Sequence, residues 1–196
     1  MIEITKKEQE KLLIIYKDFT SFYNATSLSK KLGITQVGTM KLLNRLKKSN
    51  ILVSKKIGKS IIYKTNIKEG LTKRLIGFIL INEARKHERW YNEFKTLYDK
   101  SEIVLFYGSA SRDYSNAKDI DIMIILEEKN IQIINKTLQE IQNILPKKLH
   151  SIKATKEDLN KNIKNNNEAM IEIIKTAIVL HGYDEYMEMI NGYASF

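Results

Sequence analysis

The fold of the second half of the chain is decided by two adjoining segments, the apolar run Ile103-Val-Leu-Phe-Tyr107 and the polar stretch Gly108-Ser-Ala-Ser-Arg-Asp-Tyr-Ser-Asn-Ala-Lys-Asp119-Ile-Asp121-Ile122. The pattern predicts a strand, a Gly-Ser turn, a polar loop and a second strand. Because side chains alternate along a strand, Asp119 and Asp121 share one face, and the isoleucines beside them share the other. Two carboxylates beside a turn whose backbone can approach phosphate predict a metal–nucleotide site.

The composition excludes several kinds of site. The 196 residues contain no cysteine, which excludes disulfides, thiolate metal ligands and cysteine nucleophiles, and is typical of a reducing compartment. The first residues, Met1-Ile-Glu-Ile-Thr-Lys-Lys-Glu8, are too charged for a signal peptide. The apolar runs are far shorter than the roughly 20 residues of a membrane helix. We therefore expect a cytoplasmic protein with no membrane partner.

The net charge of +10 is concentrated in the first third of the chain. Residues 1–67 hold 14 Lys+Arg against four Asp+Glu, whereas residues 68–196 hold 19 of each. Between Asp18 and Glu69 there are 11 basic residues and no acidic one. A lysine-rich background would not leave the second part neutral, so the pattern favours a polyanionic partner for the first part.

Three helices are predicted in this basic part. The first runs from Lys6 to Phe19, with apolar residues at helical spacing. Thr26 or Ser27 is expected to cap a second helix that runs to Leu32 and ends at Gly33. Thr35 is expected to cap a third helix that runs to about Ser49. Its core face is predicted to consist of Val37, Met40, Leu43 and Leu46.

Two alternating segments follow the helices. They are Ile51-Leu-Val-Ser-Lys-Lys56 and Ser60-Ile-Ile-Tyr-Lys-Thr65, joined by Ile57-Gly58-Lys59. Alternation on both sides of a short glycine-containing link predicts a β-hairpin with a basic tip.

This order of elements resembles a winged helix-turn-helix domain over roughly residues 5–67. The resemblance is carried by Asn24-Ala25-x-x-Leu28-Ser29-Lys30-x-Leu32-Gly33-Ile34-Thr35, by Leu43-x-x-Leu46 and by Ile51-Leu52-Val53. It implies that the third helix enters the major groove of double-stranded DNA and that the hairpin, or wing, meets phosphate. The implied DNA-binding residues are Thr35, Gln36, Thr39, Lys41, Asn44 and Arg45 on the helix, and Lys55, Lys56 and Lys59 on the wing. The alternative is that these helices serve protein contacts.

Residues 68–100 are expected to form a helical connector, as one long helix or two shorter ones. Trp90, Phe94 and Tyr98 recur at every fourth position. Such a stripe fits packing against the second domain, and it also fits the interface of a homodimer. The sequence leaves both open.

The second domain is predicted to continue after the Asp-x-Asp strand. A helix is expected over 129–145, with Ile131, Ile134, Leu138, Ile141 and Leu145 as its apolar stripe. Residues 148–154 fit a third strand, and residues 168–180 a last helix closed by His181-Gly182.

Strand, Gly-Ser, Asp-x-Asp strand, helix, strand and helix together resemble the minimal nucleotidyltransferase domain of the polymerase-β superfamily, over about residues 100–190. Combined with an amino-terminal winged helix, the chain also resembles small archaeal proteins described as predicted nucleotidyltransferases. The resemblance implies that Gly108 and Ser109 hold a nucleoside triphosphate and that Asp119 and Asp121 bind two Mg²⁺ ions. Arg112 is a further candidate for a phosphate contact.

One position departs from that family. Active members bring a third carboxylate from the later strand, and here Lys148-Leu-His-Ser-Ile-Lys153 contains no acidic residue. His150 or Ser151 takes that place, and a histidine there could serve as a catalytic base.

The predicted fold is α+β, with a winged helix-turn-helix over 1–67, a connector over 68–100 and a nucleotidyltransferase-like mixed sheet with helices over 101–196. Two functions follow. One is a DNA-binding transcriptional regulator whose second domain binds Mg²⁺ and a nucleoside triphosphate. The other is an active nucleotidyltransferase that moves a nucleoside monophosphate to a hydroxyl of a protein, small molecule or nucleic acid, with an antitoxin role as one form of it.

Overall fold

The computed structural model describes residues 4–193, so the expected domain limits at residues 1 and 196 lie outside the described residues. The fold is mixed α and β, with nine α-helices and six strands in this range. The chain divides into two compact units. The first runs up to Ile79 and takes in the residues from Glu188 onward, and the second spans Leu80–Met187.

The first unit begins with two helices, α1 (Lys6–Lys17) and α2 (Ala25–Leu32). A capping box between Thr5 and Glu8 starts α1. The expected cap of α2 was wrong, because the side chain of Asn24 accepts the capping hydrogen bond from the Ser27 amide. Gly33 ends α2 with a φ of +62°, as predicted from its freedom to adopt the left-handed conformation.

The third helix, α3, runs over Gln36–Lys48, and Thr35 caps it as predicted. Its expected core face was wrong in part. Thr39, Leu42, Leu43 and Leu46 are buried, whereas Val37 and Met40 are 65% and 49% exposed. A step of three residues falls short of a full helical turn, so positions 37, 40, 43 and 46 spread over half of the helix circumference and do not share one face.

The predicted hairpin is confirmed as β1 (Leu52–Ile57) and β2 (Ser60–Thr65), antiparallel, with Ile57 opposite Ser60 across a Gly58-Lys59 turn. Gly58 has a φ of +58°, which a two-residue hairpin turn requires. A single bridge between Tyr23 and Tyr63, absent from the sequence expectations, ties the segment before α2 to the hairpin. The unit therefore has the order of elements of a winged helix-turn-helix.

The connector contains two helices, α4 (Gly70–Arg85) and α5 (Glu88–Glu93), followed by a short 3₁₀ helix over Lys95–Lys100. Trp90, Phe94 and Tyr98 are all buried in the core of the second unit. Packing within the unit, rather than a dimer interface, is therefore the correct alternative for this stripe.

The second unit is built on a four-stranded mixed sheet. Its strands are β3 (Ile103–Tyr107), β4 (Asp119–Ile125), β5 (Lys148–Ala154) and β6 (Ile178–His181), in the order β5-β4-β3-β6. Strand β3 pairs antiparallel with β4 and β6, and β4 pairs parallel with β5. The predicted strand over 148–154 is confirmed.

Four helices complete the chain: α6 (Ile131–Ile144), α7 (Lys156–Lys164), α8 (Glu168–Thr176) and α9 (Tyr183–Tyr193). The single helix expected over 168–180 was wrong, since α8 ends at Thr176 and β6 follows. The α6 stripe is confirmed except at Ile131, which is exposed. Within residues 4–193 no helix is both long and apolar enough to cross a membrane.

Candidate functional site

Three side chains with metal-binding chemistry meet on neighbouring strands of the second unit. Asp119 and Asp121 lie on one face of β4, as the alternation predicted, and His150 lies on β5 directly opposite Asp121. The Nδ1 atom of His150 is 3.3 Å from Oδ2 of Asp119 and 3.7 Å from Oδ1 of Asp121. One ligand atom from each of the three residues lies within 4.8 Å of the other two. We call this group the Asp-Asp-His cluster.

Gly108 sits against this cluster at the end of β3, where Tyr107 pairs with Asp121. Its φ of +77° is in the region that favours glycine. A Cβ atom at this position would lie 2.2 Å from Oδ2 of Asp121. The glycine is therefore needed for two reasons, backbone conformation and room for the carboxylate.

The loop from Gly108 to Lys118 carries the other residues predicted to bind nucleotide. Ser109 and Arg112 are exposed, and the carbonyl of Ser109 accepts hydrogen bonds from the amides of Arg112 and Asp113. The hydroxyl of Ser111 donates to the carbonyl of Gly108 at 2.9 Å. The structure thus places Gly108 beside the cluster, while Ser109 and Arg112 lie on the solvent side of the loop.

Lys147 holds the far end of the same loop, a role that the sequence did not reveal. Its Nζ atom donates to the carbonyls of Tyr114 and Ala117, both at 2.5 Å, and to that of Ser115 at 3.3 Å. The same ammonium lies 4.3 Å from the centre of the Tyr114 ring. No local pattern could have signalled this contact, since the lysine is distant from the loop along the chain.

The electrostatics of the cluster favour a cation. Burial, followed by the charge of Asp119, raises the pKa of Asp121, and His150 offsets part of this shift. In the part of the chain that the structure describes, neither carboxylate has an ion-pair partner other than His150. Two carboxylates and an imidazole form a donor set that fits a divalent metal ion.

A second surface, on the first unit, consists of one face of α3 and the wing. The exposed α3 face carries Val37, Met40, Lys41 and Asn44, spaced as on one side of a helix. Val37 and Met40 were missed by the sequence reasoning, which assigned both to the core. Helical geometry could have revealed the exposure of Val37, because nine residues at 3.6 per turn place it on the opposite side of α3 from the buried Leu46.

Four other residues predicted to bind DNA through α3 are buried or already engaged within the protein. Thr39 is a correction: it is fully buried and its hydroxyl donates to the carbonyl of Thr35, so it cannot reach a base edge. Thr35 and Gln36 are exposed but engaged, Thr35 in capping α3 and Gln36 in donating to the Thr26 hydroxyl. Arg45 forms an ion pair with Glu8.

The three wing lysines, Lys55, Lys56 and Lys59, are all exposed. None of them has a carboxylate partner among residues 4–193. Lys64, further along β2, differs because it is buried, with its ammonium 4.4 Å from the centre of the Phe22 ring. The wing tip therefore presents unneutralised positive charge to solvent.

No sequence profile of a known family matches the chain, and no curated protein matches it. Among solved structures it is similar to two of the adhesin competence repressor AdcR from Streptococcus pyogenes. One is 13% identical, covering 74% of this chain and 84% of that one with a TM-score of 0.38; the other is 14% identical, covering 72% and 80% with a TM-score of 0.36. A cysteine-to-serine mutant of ZitR from Lactococcus lactis is 11% identical, covering 73% and 76% with a TM-score of 0.35. TM-scores this low do not establish a common fold.

Proposed function

We propose that the chain is a DNA-binding protein, acting as a transcriptional regulator, and that its second unit binds a nucleoside triphosphate with a divalent metal. One observation carries the first part of the proposal. The α3 face and the wing present lysines in a stretch of 50 residues, 19–68, without a single carboxylate. Concentrated positive charge of this kind is the footprint of a nucleic-acid partner.

The α3 face supplies chemistry for reading bases in the major groove. Asn44 matches the two hydrogen-bonding groups of adenine, and Lys41 matches the acceptors of guanine. Val37 and Met40 are apolar and exposed, so they can contact the methyl group of thymine. The wing lysines would meet phosphates, which position the protein without selecting a sequence.

The wing lysines provide the test of DNA binding. We expect the Lys55→Ala/Lys56→Ala/Lys59→Ala variant to weaken affinity for all duplex sequences and to reduce the salt slope of log K by about three units. Fluorescence anisotropy with a labelled random-sequence duplex measures both. The matched control removes three exposed lysines of the second unit, Lys136, Lys161 and Lys164. Equal behaviour of the two variants would contradict the assignment of the wing.

The nucleotide part of the proposal is supported by the turn and the cluster together. Gly108 brings backbone close to Asp121, and the exposed loop leaves Ser109 and Arg112 available to phosphate oxygens. The cluster would hold a divalent ion, which neutralises phosphate charge when bound. Calorimetric titration of ATP with Mg²⁺ or Mn²⁺ into the protein and into Asp119→Asn/Asp121→Asn tests this part. Binding that does not depend on the two carboxylates would contradict it.

A second candidate function is nucleotidyl transfer. The observation that favours it is the position of His150, in register with Asp121 where the resemblance expects a third carboxylate. A hydroxyl oxygen of an acceptor would bond to the α-phosphorus as pyrophosphate leaves, and its proton would pass to His150 if the imidazole is free to act as base. The acceptor can be sought among proteins, small molecules and nucleic acids with α-labelled nucleoside triphosphates. Label transfer that survives in Asp119→Asn would contradict this function.

A further inference from the structure

The Asp-Asp-His cluster presents a mixed donor set. Two carboxylates come from β4 and one imidazole nitrogen from the parallel neighbour β5, in a register that places His150 beside Asp121. The nitrogen that faces both carboxylates is Nδ1, at 3.3 and 3.7 Å from their oxygens. A modest rearrangement of these side chains would bring all three donors around one ion.

The donor types differ in the ions they suit. Mg²⁺ takes oxygen ligands almost exclusively, in an octahedral shell completed by water and phosphate oxygens. An imidazole nitrogen suits Zn²⁺ and the divalent ions of cobalt and iron, while carboxylates suit Mn²⁺ as well as Mg²⁺. A site made of two carboxylates and an imidazole therefore selects against Mg²⁺ relative to a site made of three carboxylates.

The cluster is also open enough to keep free coordination positions. The side chains of Asp119 and His150 are 35% and 45% exposed, whereas that of Asp121 is 20% exposed. An ion held by three protein donors at one side would retain positions toward solvent for water or phosphate oxygens. Gly108 closes the opposite side, since its backbone lies against Asp121.

We infer that His150 is a metal ligand, and that with Asp119 and Asp121 it makes a centre for a transition-metal divalent ion, Mn²⁺, Co²⁺ or Zn²⁺, in preference to Mg²⁺. The inference rests on the proposed metal–nucleotide function and names the class of ion that the site binds. It assigns the Nδ1 lone pair of His150 to the metal, so the same nitrogen is not the proton acceptor of a transfer reaction.

The first test is spectroscopic and uses the unaltered protein. The chain has three histidines, and His87 and His181 lie outside the cluster. In side-chain NMR spectra of the full chain, Zn²⁺ should shift the imidazole signals of His150 and leave those of the other two unchanged. Mg²⁺ at saturating concentration should produce a smaller shift at His150.

The second test is the ion preference of two variants. His150→Asp makes a site of three carboxylates, and we expect the ratio of Zn²⁺ to Mg²⁺ affinity to fall because Zn²⁺ loses its imidazole donor. His87→Gln is the control that removes an imidazole elsewhere, and its ratio should equal that of the unaltered protein. Competition with a chromophoric chelator measures Zn²⁺, and calorimetry measures Mg²⁺.

The outcomes separate this inference from the function on which it rests. Metal binding without any change at His150, or an unchanged affinity ratio in His150→Asp, overturns the assignment of His150 while the metal–nucleotide site stands. Absence of binding for Zn²⁺, Mn²⁺ and Mg²⁺ alike, with and without ATP, overturns both. The His150→Asp protein can be used only where it folds, whereas the NMR test needs no variant. The NMR result alone can therefore refute the inference.

Discussion

Replacing Gly108 with alanine places one methyl group between the backbone of β3 and the Asp-Asp-His cluster. The new Cβ would lie 2.2 Å from Oδ2 of Asp121, whereas real Cβ atoms essentially never come closer than 3.0 Å to another heavy atom. Oδ2 must therefore retreat by about 0.8 Å, and because the carboxylate moves as one planar group, the Oδ1 atom that faces His150 is displaced as well. The tolerance in metal–ligand distances is only about 0.2 Å.

Two effects of Gly108→Ala are expected, one on folding and one on metal binding. A non-glycine residue at a φ of +77° costs about 1–2 kcal/mol of folding free energy. Displacement of Asp121 should also lower affinity for divalent metal by about tenfold or more, because the ligand no longer sits in place. Denaturant unfolding measures the first effect, and metal titration measures the second.

Gly33→Ala is the matched control. Gly33 has a similar φ of +62°, but a Cβ there would meet no atom within 4 Å. The Gly33→Ala variant should lose about as much folding free energy as Gly108→Ala and should bind metal as tightly as the unaltered protein. If Gly108→Ala binds metal as tightly as the unaltered protein does, the geometric account of the cluster is refuted.

Three further changes test other parts of the account. Asn44→Ala should change base preference at one position of a bound duplex by about 1–3 kcal/mol. If the variant and the unaltered protein select the same sequences from a duplex library, Asn44 does not read a base. Lys147→Met should lower the free energy of unfolding by about 2 kcal/mol, because the carbonyls of Tyr114 and Ala117 lose a charged donor that is partly screened by solvent; unchanged denaturant unfolding would contradict this. Thr65→Val should raise the free energy of unfolding by about 1 kcal/mol, since the hydroxyl oxygen of Thr65 is buried without a hydrogen-bond partner among residues 4–193. A destabilised variant would show that this hydroxyl does form a hydrogen bond.

The elements that local chemistry determines could be predicted from the sequence. Thr35 caps α3 and Gly33 ends α2, because both depend on backbone groups close by in the chain. The shared face of Asp119 and Asp121 followed from strand alternation alone. Placing His150 beside them required only that β5 run next to β4, which the resemblance to a nucleotidyltransferase domain implied.

The errors arose where a local pattern fits two structures. Ile178-Val-Leu-His181 follows a helical stretch and is largely apolar, and such a short run suits a buried strand as well as a helix. The error at Val37 and Met40 has another origin, since a step of three residues drifts round a helix and carries Val37 to the side opposite Leu46. The contact of Lys147 with the loop before β4 depends on tertiary structure and has no local signature.

The most direct test of the central claim, that the first unit binds DNA, is the affinity of the full chain for a random-sequence duplex at low and at moderate salt, about 50 and 200 mM. The wing lysines and the exposed Lys41, Lys47 and Lys48 are six cations without a carboxylate partner among the described residues. If all six contact phosphate, log K should fall with a slope of about −5, and the affinity by about a thousandfold between the two salt concentrations. Saturable binding with a steep slope is the predicted result. Absence of binding at the lower salt concentration, or binding that salt does not weaken, would contradict the account.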